Sequence, residues 1–284
     1  MAYPGSMGDD EQPRRVSFSL SGVPETLLWN LHHRAAAARD PRSGLTDPLA
    51  IEIVDRLDYA TDRIATGHEG IAARWHAMRV RTFDDEIRRL LQAHPDATVV
   101  CLGEGLETQF WRVDNGRVRW LSVDLAETIA LRRQLVPDHP RAATIIGSAA
   151  EGEWTTHVDQ SRPVILTAQG LLMYFRPAEV HRMIGMFADR LPGATLLFDA
   201  VPESMQRLRP SSTSSAAWTW FMSAAERQDL AALPAIAKLV ELTPPRGRGV
   251  FFGMAMPVLR HVPAIRNVLP IFPVFRAQLA TQSP

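Results

Sequence analysis

Two glycines one residue apart, Gly103 and Gly105, leave an apolar run and enter a segment of helical pattern. Glycine permits a tight turn there and lets a ligand lie against bare backbone. About twenty residues on, the next apolar run ends at Asp124, followed by Leu125, and an acid at such a strand end accepts hydrogen bonds from both hydroxyls of a ribose. A Gly-x-Gly alone makes only a strand-to-helix turn; joined to Asp124 it points to a cofactor that carries a nucleoside. A dinucleotide site wants a third glycine where the helix N-terminus meets the pyrophosphate. Thr108 stands at that position. It disfavours NAD(P) and leaves S-adenosylmethionine (SAM), which has no pyrophosphate.

These residues need a scaffold, and the hydrophobic periodicity supplies one. Thr98–Leu102, Arg119–Val123, Ala143–Ile146, Pro163–Ala168 and Ala194–Asp199 are short apolar runs, as expected of strands buried on both faces of a parallel sheet. Helical patterns separate several of them, the best being Pro177–Leu191. Strand and helix in alternation predict a doubly wound, mostly parallel α/β sheet of Rossmann-like type. Ahead of the first strand lie a helix opened by Pro24, a second capped at Thr46-Asp47-Pro48, and a third over Glu69–Ala93. Residues 16–95 therefore read as an N-terminal helical cap and 96–284 as the cofactor-binding domain. The Ser/Thr-rich Ser211–Trp220 segment reads as part of a lid inserted at about 205–235. Lys238–Leu242 and Val274–Leu279 are further strands, and Phe251–Leu269 is an apolar stretch interrupted by prolines.

The 31 basic and 31 acidic residues cancel, so no net positive field draws in nucleic acid or an anionic membrane. A small-molecule substrate fits better. The chain has one cysteine, Cys101, inside an apolar run. It can form no internal disulfide, reads as a small buried hydrophobe, and suits a reducing compartment. No apolar stretch reaches bilayer-spanning length, and residues 1–15 form a polar leader without the pattern of a signal peptide. Met1–Ser6 reads as an appended piece with Met7 as the natural start. The expected location is cytoplasmic. A second copy of the chain, docked through Phe251–Leu269, is carried as a candidate partner.

The chain resembles the leucine carboxyl methyltransferase family, in particular its bacterial branch of tetracenomycin-type polyketide O-methyltransferases. The residues that carry the resemblance run from about Ser17 to Glu203 and include Gly22–Ala35 with Asp47-Pro48, Arg81-Thr82-Phe83-Asp84-Asp85, Val99–Arg112, Ser122–Glu127, the Trp154 region, and Ala168–Tyr174. The resemblance implies a SAM-dependent methyltransferase with S-adenosylhomocysteine (SAH) as product. It assigns Arg81 to the SAM carboxylate, Gly103 and Gly105 to the methionine part, Asp124 with Leu125 to the ribose, and Ser148-Ala149 and Gln169 to the neighbourhood of the adenine. Tyr174 is assigned to the transfer site. Three positions depart from the family pattern. Ser148 replaces an aspartate, Gln169 replaces a glutamate, and Glu104 stands between the glycines where alanine is usual, pointing either to solvent or to the sulfonium.

Methyl transfer from a sulfonium is an in-line displacement, which a protein promotes mainly by alignment. A carboxyl acceptor needs no base, whereas a hydroxyl acceptor calls for one. His32 on the first helix and His181 on the helix after Tyr174 are the candidate bases, with Tyr174 as a third catalytic candidate. Trp29, His33, Tyr174, Trp218, Trp220 and Phe221 are the candidate acceptor walls, aromatic faces suited to a polyketide ring or the apolar side of a sugar. No metal-ligand spacing is present. The expected function is O-methylation of a small molecule. The alternatives are a protein C-terminal carboxyl methyltransferase, an NAD(P)-dependent oxidoreductase, and a SAM-binding protein without catalysis.

Overall fold

The computed structural model describes residues 16, 26–58, 69–208, 217–247 and 272–281. The leader over 1–15 and the apolar stretch Phe251–Leu269 lie outside the described residues. Helices α1 (Thr26–Arg39), α2 (Pro48–Arg56) and α3 (Glu69–Ala93) come first. Asp47 caps α2, its carboxylate accepting from the Ala50 N–H, and Pro48 opens the first turn, where a missing N–H costs nothing.

The chain then alternates β1 (Thr98–Leu102), α4 (Gln109–Val113), β2 (Arg119–Asp124), α5 (Ala126–Leu135), β3 (Ala142–Ile146), β4 (Val164–Ala168), α6 (Pro177–Arg190) and β5 (Thr195–Asp199). After these come the short β6 (Val201–Pro202) and β7 (Phe221–Met222), then α7 (Ala224–Ala232), β8 (Ile236–Glu241) and β9 (Val274–Leu279). The main sheet among the described residues has the order β3-β2-β1-β4-β5-β9-β8. The strands from β3 to β5 pair in parallel, while β9 runs antiparallel to both β5 and β8. This is a doubly wound, Rossmann-like α/β fold, as the sequence leads one to expect.

Burial on both faces explains the continuous apolar runs of β1, β2, β4 and β5, whereas β3 at the sheet edge is half-buried and leaves Ile146 exposed. Val100, Leu102, Leu121, Leu166 and Phe198 join Val180, Ile184 and Phe187 of α6 in one core. Their neighbours Val99, Cys101, Trp120, Ile165 and Leu197 join Phe83, Ile87 and Leu91 of α3 in another. The period-two alternation of each strand thus feeds two cores at once. A third cluster packs Leu28 and Leu31 of α1 and Ile53 of α2 against Leu106, Leu131 and Leu135. It seats the N-terminal helices on α5 and on the turn that follows β1. The strand order reverses between β1 and β4, where an open α/β sheet leaves a crevice at its carboxyl edge. No helix among the described residues is long and apolar enough to cross a membrane.

A buried ionic network fastens the N-terminal helices to the sheet. Arg112 of α4 pairs with Asp47 at 2.6 Å, Asp84 at 2.7 Å and Glu107 at 2.7 Å. Arg34 of α1 pairs with Asp47 at 3.0 Å and Glu107 at 2.9 Å. Removing one charge from such a network leaves its partners buried and unpaired. Arg112→Met is therefore expected to lower stability by about 3–5 kcal/mol, measured by urea unfolding at neutral pH. A loss within about 1 kcal/mol, the range of exposed pairs, would show that the network does not hold the helices in place.

Candidate active site

A cavity of about 340 Å³ opens at the β1/β4 crevice. Its lining gathers the ends of four strands. Cys101 to Glu107 continue from β1, Val123 to Leu125 close β2, Gly147 to Ala149 follow β3, and Thr167 with Gln169 to Leu171 come from the end of β4. The side wall comes from Thr26, Leu27, Asn30 and Arg34 of α1, Arg79 of α3, Thr128 of α5, and Tyr174 with Phe175.

The glycine turn is shaped for a close visitor. Gly103 and Gly105 have φ of +62° and +57°, the left-handed region that suits glycine. A Cβ on Gly103 would stand 2.7 Å from Leu171 Cδ1. The Gly105 N–H donates to Asp124 Oδ2 at 2.7 Å, and the Leu125 N–H donates to Asp124 Oδ1, also at 2.7 Å. The Thr128 hydroxyl adds a third donor to the same carboxylate, which still has acceptor capacity for a ligand. Burial pushes the Asp124 carboxyl above its ordinary pKa, against the pull of those backbone donors.

Glu104 is buried rather than turned to solvent. Its buried carboxylate accepts from Trp120 Nε1 at 3.0 Å and from the Ser122 hydroxyl, and pairs with Arg132 at 3.2 Å. Burial raises its pKa, with Arg132, Ser122 and Trp120 opposing. Arg132 also donates to the Gly105 and Glu107 carbonyls at 2.9 and 2.7 Å. One guanidinium from α5 thus holds both the carboxylate and the carbonyls of the turn. Burial would raise Glu107 too, but Arg34 and Arg112 outweigh it and bring the carboxyl down to about 2.

Among the residues expected at the cofactor, Gly103, Gly105, Asp124, Leu125, Ser148, Ala149 and Gln169 all line the cavity. Leu125 is 41% exposed, an apolar side chain left uncovered at the rim. Ser148 Oγ accepts from the Ala150 N–H at 3.2 Å. Arg81 is placed elsewhere. It lies outside the lining, where its Nη1 donates to the Ser43 and Arg246 carbonyls, each at 3.3 Å. The lining cation on α3 is Arg79, one turn before the fully buried Phe83 and hence on the sheet-facing side of the helix. Two residues on, Arg81 has rotated to the far side. Arg79 pairs with Asp199 at 3.1 Å, its Nε has no protein partner among the described residues, and Asp199 Oδ1 accepts from the Gly170 N–H at 2.6 Å. Sequence reasoning missed Arg79, Asn30 and Asp199. The phase of α3 was the signal for the first, and an acid at a strand end was the signal for the last.

Of the acceptor and base candidates, one lies at this cavity. Tyr174 lines the cavity, on the turn Leu172–Tyr174. His32, His33, Trp29, His181, Trp218, Trp220 and Phe221 do not. Trp220 is fully buried against Phe198, with Nε1 donating to Glu226 at 2.7 Å. His181 meets the same carboxylate at 2.8 Å. Phe221 belongs to β7 and pairs with Val201, while Trp218 stands edge-on to Phe272. Trp29 is 43% exposed and lies against His33 and His76 between α1 and α3. The segment around Thr219 still bears on the site, because the Thr219 and Trp220 N–H groups donate to the Met173 carbonyl, beside Tyr174.

Residues 28–188 match the model of the leucine carboxyl methyltransferase family. The chain is 37% identical over 183 residues to the tetracenomycin polyketide synthesis O-methyltransferase of Streptomyces glaucescens, spanning 64% of this chain and 67% of the relative. It is 25% identical over 230 residues to an S-adenosyl-L-methionine-dependent methyltransferase of Gibberella zeae, spanning 72% and 76%. A chain from the solved complex of the Haloferax volcanii Trm112 methyltransferase activator overlays with a TM-score of 0.50 at 15% identity, covering 76% of this chain and 97% of that one, a likeness of fold alone.

The histidine pair beneath Trp29 carries a pH prediction. His33 is buried with neither ring nitrogen partnered among the described residues. Burial, reinforced by His32, lowers its pKa from 6.5 to about 4. A depressed histidine favours folding above its unfolded pKa, and that contribution is lost as pH falls. Between pH 6.5 and about 4, His33 should remove up to about 1.4 kcal/mol of stability per pH unit. Chemical unfolding at stepped pH should show His33→Leu with a shallower acid slope; equal slopes in both proteins would refute the assignment.

Proposed function

The chain belongs to the leucine carboxyl methyltransferase family and is a SAM-dependent methyltransferase, and from that premise we propose that it methylates a carboxyl or hydroxyl oxygen of a small polyketide-like or sugar-like acceptor. The nicotinamide alternative falls with the family assignment. One observation carries the reading: the glycine turn, Asp124, Arg79, Gln169 and Tyr174 line a single cavity at the carboxyl edge of the sheet.

The lining fits the cofactor. Gly103, where a side chain would collide with Leu171, leaves bare backbone for the methionine part. The free lone pairs of Asp124 suit the ribose hydroxyls, and exposed Leu125 with the Ser148-Ala149 backbone suits the adenine. Arg79, anchored by Asp199 and with Nε lacking a partner among the described residues, takes the carboxylate-binding role that the resemblance gave to Arg81. When bound, SAM supplies the electrophilic methyl group. Tyr174 and Phe175 then bound the acceptor, and Tyr174 offers a hydroxyl to orient its oxygen. His32 and His181, the expected bases, stand away from the lining. This favours an acceptor oxygen that enters already acidic, as a carboxyl does. In this reading the described helices before β1 form a cap over the site, and Thr219 with Trp220, from the segment expected as a lid, braces the turn of Tyr174, residues 209–216 of that segment lying outside the described residues. A neutral chain with a single buried cysteine is in keeping with a reducing cytoplasm and a small-molecule partner.

Calorimetric titration with SAM and SAH, with NADH as control, tests the assignment. Arg79→Lys keeps a charge beside Asp199 but loses the bidentate fork, and should weaken binding about tenfold. Arg81→Lys should change it less than about twofold, as for a surface substitution. Equal losses in the two variants, or none in Arg79→Lys, would return the carboxylate to Arg81 or remove it from α3 altogether.

A further inference from the structure

A chain of directed hydrogen bonds runs from the ionic network to the cavity wall. Asp84 is 1% exposed and takes Arg112 Nε on Oδ2 at 2.7 Å and Nη2 on Oδ1 at 3.1 Å. A carboxylate in that pair offers only acceptors. The fully buried Gln109 must therefore turn its amide nitrogen toward it, and Nε2 donates to Asp84 Oδ1 at 2.7 Å. That leaves Gln109 Oε1 facing Gln169, whose Nε2 donates to it at 2.6 Å. Reversing either amide would set oxygen against oxygen. The last atom of the chain, Gln169 Oε1, is buried and has no partner among the described residues. Buried acceptors without partners are few in native proteins and call for an explanation, a missing ligand among them.

We propose that Asp84 and Gln109 are positioning residues that lock the amide of Gln169 in one orientation, so that this side chain meets the bound molecule as an uncharged hydrogen-bond acceptor for an N–H or O–H donor. The ligand half of this proposal rests on the cavity being the SAM site; the lock itself does not. The lock accounts for glutamine at a position where the family resemblance leads one to expect glutamate. A carboxylate at 169 would face Gln109 Oε1, with Asp84 and Arg112 behind it and Asp199 and Arg79 beside the next residue. It would be accommodated only by holding a proton, which restores the donor that Gln109 requires.

The test is Gln169→Glu, melted without ligand at several pH values beside the wild type. A carboxyl whose folded pKa is raised stabilises below its unfolded pKa, and that stabilisation is lost as pH rises through the folded one. The variant should match the wild type near about pH 5 and melt several degrees lower near about pH 8. Adding Gln109→Leu removes the opposing oxygen, so the pH dependence of the difference should vanish. A pH-independent difference between Gln169→Glu and the wild type would overturn the lock. Titration with SAH tests the acceptor role: Gln169→Leu should bind about tenfold more weakly, and unchanged affinity would overturn that role. If SAH fails to bind the wild type, the SAM reading falls and takes the ligand half with it, while the melting series still judges the lock.

Discussion

Everything at the cavity depends on how Asp47 is buried. One carboxylate caps α2 through the Ala50 N–H and accepts from Arg34, Arg112 and the Thr108 hydroxyl. Those donors come from α1, from α4 and from the residue just before α4. Burying so many charges is costly, and the cost is offset only when every partner stands in place. The network therefore tolerates one arrangement of the N-terminal helices over the sheet, where packing of Leu28 and Leu31 alone would allow sliding. Fixing α1 also fixes Thr26, Asn30 and Arg34 at the cavity wall.

The same constraint reaches the glycine turn through Glu107, which Arg34 and Arg112 hold from one side while Arg132 grips its carbonyl from the other. Arg132 in turn pairs with Glu104. The departure from alanine at 104 is thus matched within this chain by a guanidinium, an indole N–H and a hydroxyl. A turn held by side chains on both flanks keeps its left-handed glycines ready before any ligand arrives, which is the kind of preorganisation that binding and catalysis reward.

The sequence made the scaffold legible because its signals are local. Continuous apolar runs marked β1 to β5, and α3 was readable over its whole length from Glu69 to Ala93. The backbone part of the cavity was equally readable, since glycines and a strand-end acid declare themselves by position. Less legible was where the long side chains stand. Arg79 and Arg81 differ by two residues and half a helical turn, and only the buried phase of Phe83 and Ile87 separates them. Trp220 sits beside a Ser/Thr-rich stretch and so reads as a lid aromatic, yet Glu226 satisfies its indole and Phe198 covers its ring, which makes it core. The histidines of α1 were placed at the pocket by their helix, while the face that meets the cavity belongs to Thr26, Asn30 and Arg34, spaced four apart.

The pairing of charges around the cavity explains why a glutamine is suited to its wall. Arg79 is matched by Asp199, Arg34 by Asp47 and Glu107, and Glu104 by Arg132. Among the lining carboxylates, Asp124 is the one held by backbone N–H groups rather than by a guanidinium. If SAM binds as proposed, its zwitterion and sulfonium charge would meet a wall that is balanced apart from that single acid. A second free carboxylate at 169 would add attraction for the sulfonium. It would also demand a cation that the Asp84–Gln109 chain cannot offer, because that chain ends in an oxygen. In the proposed lock, the direction of two hydrogen bonds, set far back at Arg112, would decide the charge of a residue at the cavity wall.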